Sequence, residues 1–211
     1  MRRVLVDPEA PQRDALQEAA KWILVGGIVA LPTDTFYGLA ADPFRPGAIS
    51  RLVAIKGRPE GRALPLIGAD LRQISTSLGP LSRVGQRLAG RFWPGPLTLL
   101  LSAPPSLARG VAAGTGRVGV RVPASGIARA ICLASRIPVT ATSANLSGQP
   151  ATADPDEVER TLGAAVDLLI DAGPTPGGAP STVVDVTDER PRLVRAGAIS
   201  WEEIQAWLNL S

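Results

Sequence analysis

The chain carries the segment ALQEAAKWILVGGIVAL at residues 15–31, and this segment indicates the fold class. Its first half repeats apolar residues at four-residue spacing, which is typical of one face of an amphipathic helix. Gly26 and Gly27 end that helix, and residues 28–31 form a short apolar run that predicts a buried strand. A helix followed at once by a buried strand is a recurring unit of α/β proteins.

Helical and strand patterns continue to alternate along the chain without a fixed repeat. One helix is predicted to end at Lys56, another covers residues 80–92, and capping residues predict helix starts at Asp154 and Ser200. The polar segment 32–42 is predicted to be a loop. We expect one α/β domain over residues 1–211, with a twisted mixed β-sheet and flanking helices. The predicted strands lie at residues 28–31, 64–67, 97–101, 118–122, 139–142, 166–170, 182–186 and 193–195.

Composition narrows the class of protein and of chemistry. The sequence has one cysteine, Cys132, which excludes an internal disulfide and agrees with a reducing compartment. Since no apolar run approaches ~18 residues, we expect a cytoplasmic protein that does not enter a membrane. The sequence contains no histidine, which removes Ser-His-Asp triads, histidine bases and histidine metal sites. Arginine, lysine, hydroxyls, carboxylates, backbone amides or a substrate-borne metal must carry any reaction.

The common nucleotide-binding motifs do not explain the chain. Residues 114–119, GTGRVG, match the dinucleotide pattern, but they run into a predicted strand and no helix follows. A glycine-rich turn is the better interpretation. The sequence has no GxxxxGK[ST] motif, so a Walker-type NTPase is unsupported.

Two polar segments far apart in sequence indicate a phosphate-binding surface. Residues 56–59, KGRP, place two cations one residue apart, and residues 143–148, SANLSG, place small hydrogen-bonding side chains after a predicted strand. Ligands commonly bind beyond strand ends in open α/β sheets. Each segment alone also fits a simpler interpretation, a solvated basic loop or a turn that bonds its own backbone.

Two further segments have candidate ligand-binding side chains. In the strand 118–122, the two-residue period places the valines on one face and Gly119 with Arg121 on the other. Arg121 therefore faces either a ligand or solvent. Residues 32–38, PTDTFYG, set hydroxyls, one carboxylate and the sole tyrosine after a buried strand. That loop either binds substrate or anchors its two aromatic rings in the core.

Taken in order, the segments of the chain resemble the YrdC/Sua5 family of threonylcarbamoyl-adenylate synthases. The resemblance extends from about Ala15 to Trp207. The ordered set of matching segments is far more specific than any one segment. The chain departs from the family pattern at Arg117, Ala151 and Ala196, where many members have other residues. The matching segments are residues 27–39, 56–59, 93–98, 118–123, 142–148, 181–186 and 193–197.

The resemblance implies both a fold and a reaction. The fold is a twisted mixed sheet with a concave basic cavity, in the short single-domain form of the family. The reaction condenses L-threonine, bicarbonate and ATP into threonylcarbamoyl-AMP and pyrophosphate for the t6A modification of tRNA. Because the sequence offers no evident carboxylate cage, we expect Mg²⁺ to accompany ATP, bound mainly by phosphate oxygens and water. Transferase proteins of the t6A pathway are the implied partners, and weak binding of tRNA or double-stranded RNA stays open.

The resemblance also assigns expected roles to particular side chains. Two alternatives remain beside it: a noncatalytic RNA-binding protein that uses the same arginines on phosphates, and a domain related to carbamoyltransferases. Tyr37 and Thr35 are weaker candidates for the threonine site. The expected catalytic residues are Lys56 and Arg58, the expected ATP contacts are Lys56, Arg58, Ser143, Asn145 and Arg195, and the expected threonine contacts are Thr33, Arg121 and Ser181.

Overall fold

The computed structural model describes residues 1–57 and 62–210. Within these residues helices and strands alternate along the chain, and the strands form two mixed sheets. The helices are α1 (Arg13–Leu24), α2 (Pro46–Lys56), α3 (Leu71–Leu78), α4 (Arg83–Phe92), α5 (Arg109–Ala112), α6 (Gly126–Ser135), α7 (Pro155–Leu162) and α8 (Trp201–Leu210). The strands are β1 (Arg2–Leu5), β2 (Val29–Pro32), β3 (Tyr37–Ala40), β4 (Leu66–Ile67), β5 (Leu97–Ser102), β6 (Arg117–Arg121), β7 (Val139–Thr140), β8 (Thr142–Ser143), β9 (Leu168–Asp171), β10 (Thr182–Asp185) and β11 (Arg192–Arg195).

The two sheets contain five and six strands. Their orders are β1-β9-β2-β3-β8 and β11-β10-β5-β6-β4-β7, and each sheet has both parallel and antiparallel pairs. The predicted α/β class with mixed pairing and flanking helices is confirmed. The strands are divided between two sheets, where the sequence pattern led us to expect one. The expected single domain over residues 1–211 stays a prediction.

The helix and strand of residues 15–31 form as predicted. The apolar side of α1 is buried, and its residues pack in one apolar cluster with residues of α6 and the five-stranded sheet. The helix ends before Gly26, whose φ of +95° is readily adopted only by glycine. A Cβ on Gly27 would lie 2.8 Å from the Trp22 carbonyl oxygen, so a side chain there would force the backbone apart. The two glycines therefore let the chain fold from α1 directly into β2.

The predicted loop at residues 32–42 is wrong in its second half. Strand β3 lies inside that segment and pairs antiparallel with β2, so the polar residues 33–36 form only the turn of a hairpin. Tyr37 and Leu39 on β3 are fully buried. The sequence pattern did not predict this strand, because the turn residues before it and the isolated Gly38 within it are typical of loops. Helix α3 was not predicted either.

The chain passes from one sheet to the other at Ala141. Strand β7 pairs with β4 in the six-stranded sheet, and β8 pairs with β3 in the five-stranded sheet. The fully buried Thr140 fixes the crossing, since its hydroxyl accepts from the Ala41 amide at 2.8 Å and donates to the Leu39 carbonyl at 3.3 Å. Its own amide donates to the Ala41 carbonyl at 3.0 Å. These bonds hold the edges of the two sheets together.

A buried carboxylate joins three strands of the six-stranded sheet. The side chain of Asp185, at the end of β10, is 3% exposed and lies 2.9 Å from Arg117 and 3.7 Å from Arg192. It also accepts bonds from the Thr187 amide at 3.0 Å and hydroxyl at 2.6 Å. Burial alone would raise the pKa of Asp185, but the Thr187 bonds and the two arginines outweigh it and hold the pKa below its ordinary value. Arg117, a departure from the family pattern, therefore has a structural partner.

No helix in the described parts of the chain combines the length and the apolar character needed to span a membrane. The core consists of two apolar clusters, one of which includes both Leu39 of β3 and Leu99 of β5 and therefore joins the two sheets. Burial of this kind is the main force that stabilises the fold.

Substitution of Thr140 tests the crossing between the sheets. Thr140→Val keeps the shape of the side chain but leaves the buried Ala41 amide without its hydroxyl acceptor. We expect the free energy of unfolding to fall by about 1–3 kcal/mol. Urea denaturation measures this change. The control is Thr161→Val on α7, which removes an exposed hydroxyl bonded to the Glu157 carbonyl and should cost less than about 0.5 kcal/mol. Equal stability of the two variants would contradict the role given to Thr140.

The depressed pKa of Asp185 predicts a loss of stability in acid. The stabilisation is present above the ordinary aspartate pKa of about 4 and is lost as the pH falls through the lower pKa of the folded chain. In Asp185→Asn, we expect lower stability at pH 7 and a weaker dependence of stability on pH below about 5. Urea denaturation at several pH values measures both. Asp188→Asn, at an exposed pair with Arg192, is the control. Parallel pH profiles of wild type and Asp185→Asn would refute the prediction.

Candidate functional site

A cavity of about 500 Å³ lies where the two sheets meet. Strands β5, β6 and β10 form one side of it, and residues around the Ala141 crossing and the 33–36 turn form the other. Its lining is polar at several points and includes two arginines. Four of the predicted site residues line this cavity together: Arg121, Ser143, Ser181 and Arg195.

Hydroxyl groups and an arginine are linked on one side of the cavity. Arg195 donates to the Ser181 carbonyl at 2.7 Å and to the Ser181 hydroxyl at 3.2 Å. The Ser181 hydroxyl also lies 2.8 Å from the hydroxyl of Thr98, a buried residue on the neighbouring strand β5. Parallel pairing of β5 with β10 brings these residues side by side. The cluster presents hydroxyls and a guanidinium in a fixed arrangement to a ligand.

Arg121 forms an ion pair at the centre of the site. It lies on the same side of β6 as Gly119, as the strand period predicts, and both residues line the cavity. Its Nη1 donates to Asp34 Oδ2 at 3.2 Å, and its Nη2 lies 3.1 Å from Asp34 Oδ1. The side chains are 12% and 14% exposed, respectively. The solvent-facing interpretation of Arg121 is therefore wrong, because the guanidinium is largely enclosed.

The electrostatics of Arg121 reflect that enclosure. Burial lowers the pKa of its guanidinium below the ordinary value, the Asp34 carboxylate opposes this, and the positive charge of Arg195 lowers the pKa further. An arginine remains charged in proteins despite such shifts. Asp34 thus stabilises the charged form of Arg121, which the positive charge of Arg195 destabilises.

The 33–36 turn is held by its own hydrogen bonds. The Thr33 hydroxyl donates to the Phe36 carbonyl at 2.7 Å, accepts from the Thr35 amide at 3.2 Å and lies 3.3 Å from the Thr35 hydroxyl. Thr33 is 8% exposed. Among the described residues of this turn, Thr35 and Phe36 line the cavity and Thr33 does not. Thr35 therefore lines the space that a ligand could enter, and the role of Thr33 as a threonine contact stays a prediction.

Tyr37 serves as an anchor in the core. It is fully buried, its hydroxyl donates to the Gly173 carbonyl at 2.7 Å, and it accepts from the Ala172 amide at 3.2 Å. Burial raises the pKa of this phenol to about 12. Its hydroxyl therefore stays protonated near neutral pH and ties the hairpin of β2 and β3 to the segment after β9.

Lys56 fixes the turn that contains Ser143 and Asn145. It lies at the end of α2, is 4% exposed, and its ammonium donates to the Ser143 and Asn145 carbonyls, each at 2.6 Å. It also donates to Asn145 Oδ1 at 2.5 Å, and the Ser147 amide donates to the Lys56 carbonyl at 2.8 Å. The two segments predicted to meet are therefore in direct contact. Arg58 lies outside the described residues.

The side chains of Ser143 and Asn145 face different spaces. The Ser143 hydroxyl donates to Asn145 Oδ1 at 2.6 Å, and Ser143 lines the large cavity. The Asn145 amide nitrogen donates to the Gln149 carbonyl, and Asn145 lines a second cavity of about 250 Å³ beside α7. The turn thus forms part of both cavities. Nucleotide contacts by Lys56, Ser143 and Asn145 stay predictions.

Two polar residues of the site were not assigned a role from the sequence. Thr98 carried no signal of its own, since a threonine in a buried strand is ordinary, and only the pairing of β5 with β10 brings it to Ser181. Asp34 was noticed only as one carboxylate in a polar loop. Its partner Arg121 is 87 positions away, so no local pattern joins the two. The departure Ala151 also lines the large cavity.

The fold and the cavity define a two-sheet α/β protein whose polar cavity contains two arginines. The chain belongs to the Sua5/YciO/YrdC family, whose model, described as "Telomere recombination", matches residues 21–197. The recognition of the family from the sequence is confirmed.

Named relatives share the family and the fold. A threonylcarbamoyl-AMP synthase of Bacillus subtilis is 37% identical over 90% of this chain and 56% of its own length. A putative threonylcarbamoyl-AMP synthase of Mycobacterium leprae is 34% identical over 97% of this chain and 92% of its own length. The structure of Pyrococcus abyssi Sua5 complexed with L-threonine is 35% identical, with a TM-score of 0.91 over 99% of this chain and 61% of that one. The chain thus spans little more than half of the Bacillus subtilis relative.

Removal of the Lys56 ammonium tests its part in holding the turn. Lys56→Met leaves buried carbonyl oxygens of the 143–145 segment without their donor, so we expect the free energy of unfolding to fall by about 1–3 kcal/mol. Urea denaturation measures this, and amide hydrogen exchange should show faster exchange at residues 145–149. The control is Lys21→Met. Lys21 is the other lysine of the sequence and is exposed, so its replacement should alter stability by less than about 0.5 kcal/mol. Unchanged stability and exchange in Lys56→Met would remove the assigned role.

Proposed function

We propose that this chain is a nucleotidyltransferase that forms threonylcarbamoyl-AMP and pyrophosphate from L-threonine, bicarbonate and ATP. The observation that carries the proposal is the cavity in which Arg121, Arg195 and Ser181 line one space, beside the turn held by Lys56. The relatives named threonylcarbamoyl-AMP synthases and the related structure that holds L-threonine support it. The product serves the t6A modification of tRNA, and transferase proteins of that pathway consume it in the cytoplasm.

The amino acid is proposed to bind at the Arg121 side of the cavity. A guanidinium binds a carboxylate through two parallel hydrogen bonds, which fixes both the position and the direction of the ligand. The hydroxyl groups of Ser181, Thr98 and Thr35 line the same space and offer partners to a polar side chain. A few polar groups at fixed positions in a concave pocket orient a ligand and provide specificity.

The triphosphate is proposed to bind between Arg195 and the turn at residues 143–148. The backbone and hydroxyls of that turn offer donors, and Lys56 keeps the turn in place from the buried side. Arg58, outside the described residues, is the further cation we assign to the phosphates. Positive charges aimed at a transferring phosphoryl group stabilise the charge that develops there.

The reaction places few demands on proton-transferring side chains. Threonine and bicarbonate condense to a carbamate on the α-nitrogen, with release of water and loss of the ammonium proton to solvent. The anionic carbamate oxygen then attacks the α-phosphorus of ATP, and pyrophosphate leaves. Alignment of two bound reactants alone can supply up to about 7–11 kcal/mol of the barrier. A chain without histidine can therefore catalyse it with arginines, hydroxyls and backbone donors.

Mg²⁺ is proposed to arrive with ATP. Across residues 1–57 and 62–210, no three His, Cys, Asp or Glu side chains form a group that could hold a metal ion. Asp34 is already paired with Arg121, which lines the cavity. This donor set fits an ion that is held by phosphate oxygens and water and that neutralises phosphate charge.

Pyrophosphate release tests the proposed reaction. Purified chain with Mg²⁺ and ATP, in buffer freed of carbon dioxide, should release pyrophosphate only when both L-threonine and bicarbonate are added. Mass spectrometry should then detect threonylcarbamoyl-AMP that carries ¹³C from labelled bicarbonate. Release that ignores either omission would contradict the proposal. A chain that binds RNA without releasing pyrophosphate would support the RNA-binding alternative instead.

A conservative change at Arg121 tests the assigned threonine site. Arg121→Lys keeps the charge but loses the paired donors of the guanidinium, so we expect the KM for threonine to rise at least about tenfold with a smaller change in the KM for ATP. Steady-state kinetics measure both constants. The control is Arg13→Lys at an exposed position on α1. A larger rise in the KM for ATP than in that for threonine would show that the assignment is wrong.

A further inference from the structure

Asp34 is a largely enclosed carboxylate that the proposed reaction has not used. It lies next to Thr35, which lines the cavity, and faces the cavity-lining Arg121 through both oxygens, at 3.2 and 3.1 Å. Its Oδ1 is enclosed and, among residues 1–57 and 62–210, has only the nearby guanidinium charge and no hydrogen bond of good geometry. A buried carboxylate oxygen without a directed donor costs free energy unless another positive or donor group approaches.

The backbone around Asp34 holds this carboxylate in place. The Thr33 hydroxyl bonds both the Thr35 amide and the Phe36 carbonyl, which closes the turn around Asp34. The Gly177 amide donates to the Thr35 carbonyl at 2.7 Å, and the Tyr37 amide donates to the Thr152 carbonyl at 3.0 Å. The turn is therefore fixed from within and from two neighbouring segments. These bonds hold the backbone of Asp34 beside Arg121.

The ion pair changes what the cavity attracts. Without Asp34, Arg121 and Arg195 would give the cavity two uncompensated positive charges, and any small anion would be drawn to it. With Asp34, the Arg121 side has a cation and an anion adjacent to one another and little net charge. A zwitterionic α-amino acid has the complementary arrangement, with its carboxylate and ammonium separated by one carbon. Opposite charges a few ångströms apart attract strongly where they are shielded from water, and the Arg121 and Asp34 side chains are only 12% and 14% exposed.

We propose that Asp34 determines the amino-acid selectivity of this site, because its carboxylate favours the α-ammonium of the ligand whose carboxylate pairs with Arg121. The inference deepens the proposed function and rests on it for the identity of the ligand. It predicts that the site rejects carboxylates that lack an α-amino group, including the phosphate-rich or carboxylic anions that Arg121 alone would accept. The role is one of binding and requires no proton transfer by Asp34.

The test compares two ligands that differ only in the amino group. Isothermal titration calorimetry measures the affinity of the full chain for L-threonine and for (R)-3-hydroxybutyrate, which is threonine without its α-ammonium. In the wild type, we expect threonine to bind at least about tenfold more tightly. In Asp34→Asn, threonine should bind about tenfold more weakly, and 3-hydroxybutyrate as well as or better than in the wild type. The ratio of the two affinities is the readout, since a general loss of structure would weaken both ligands.

Two further variants separate charge from structure. Asp34→Glu retains the carboxylate and should keep most of the discrimination, and Asp42→Asn removes a buried aspartate paired with Arg45 elsewhere and should leave the ratio unchanged. Thermal unfolding shows whether each variant is folded. The comparison of L-threonine with (R)-3-hydroxybutyrate in the wild type can be made even if Asp34→Asn does not fold.

The outcomes distinguish this inference from the proposed function. An unchanged ratio in Asp34→Asn, or equal binding of the two ligands by the wild type, overturns the role of Asp34 but leaves the reaction intact. A wild-type chain that binds neither ligand and releases no pyrophosphate contradicts both.

Discussion

The crossing of the chain from one sheet to the other at Ala141 is the constraint on which the rest of the structure depends. The hydroxyl of Thr140 reaches from the six-stranded sheet to the backbone of β3 in the five-stranded sheet. Because the hydroxyl satisfies a buried amide there, alternative positions of the two sheet edges would leave that amide unpaired. The cavity lies beside this crossing, and Ser143 follows it within two residues. The fold and the candidate site are therefore fixed by the same few hydrogen bonds.

Local patterns predicted the elements better than the contacts between them. The helix of residues 15–24, the strand that follows it and the orientation of Arg121 on β6 follow from apolar periodicity, which burial enforces residue by residue. Strand β3 was missed because a polar turn precedes it. The division into two sheets, and the pairs Asp34 with Arg121 and Thr98 with Ser181, depend on strand pairing over long sequence separations. A single sequence contains no local signal for such pairs.

The polar groups of the site are held by bonds within the protein itself. Lys56 fixes the turn of Ser143 and Asn145, Ser181 is bonded to Arg195, and Asp34 faces Arg121. Groups that are already oriented need little rearrangement when charge develops during a reaction, and this preorganisation is a large source of catalysis. It would also allow a chain without histidine to carry out the proposed adenylyl transfer, since placement and charge compensation would replace proton transfer. The individual ligand contacts stay proposals, which this arrangement and the family support.

The central claim is that L-threonine and ATP share the cavity between the two sheets. The most direct measurement is a crystal structure of the chain with L-threonine, Mg²⁺ and a non-hydrolysable ATP analogue. The account predicts the threonine carboxylate at about 3 Å from the Arg121 guanidinium, with the phosphates between Arg195 and the turn at residues 143–148. Threonine bound outside this cavity, or phosphates bound at Arg121 in its place, would contradict the account.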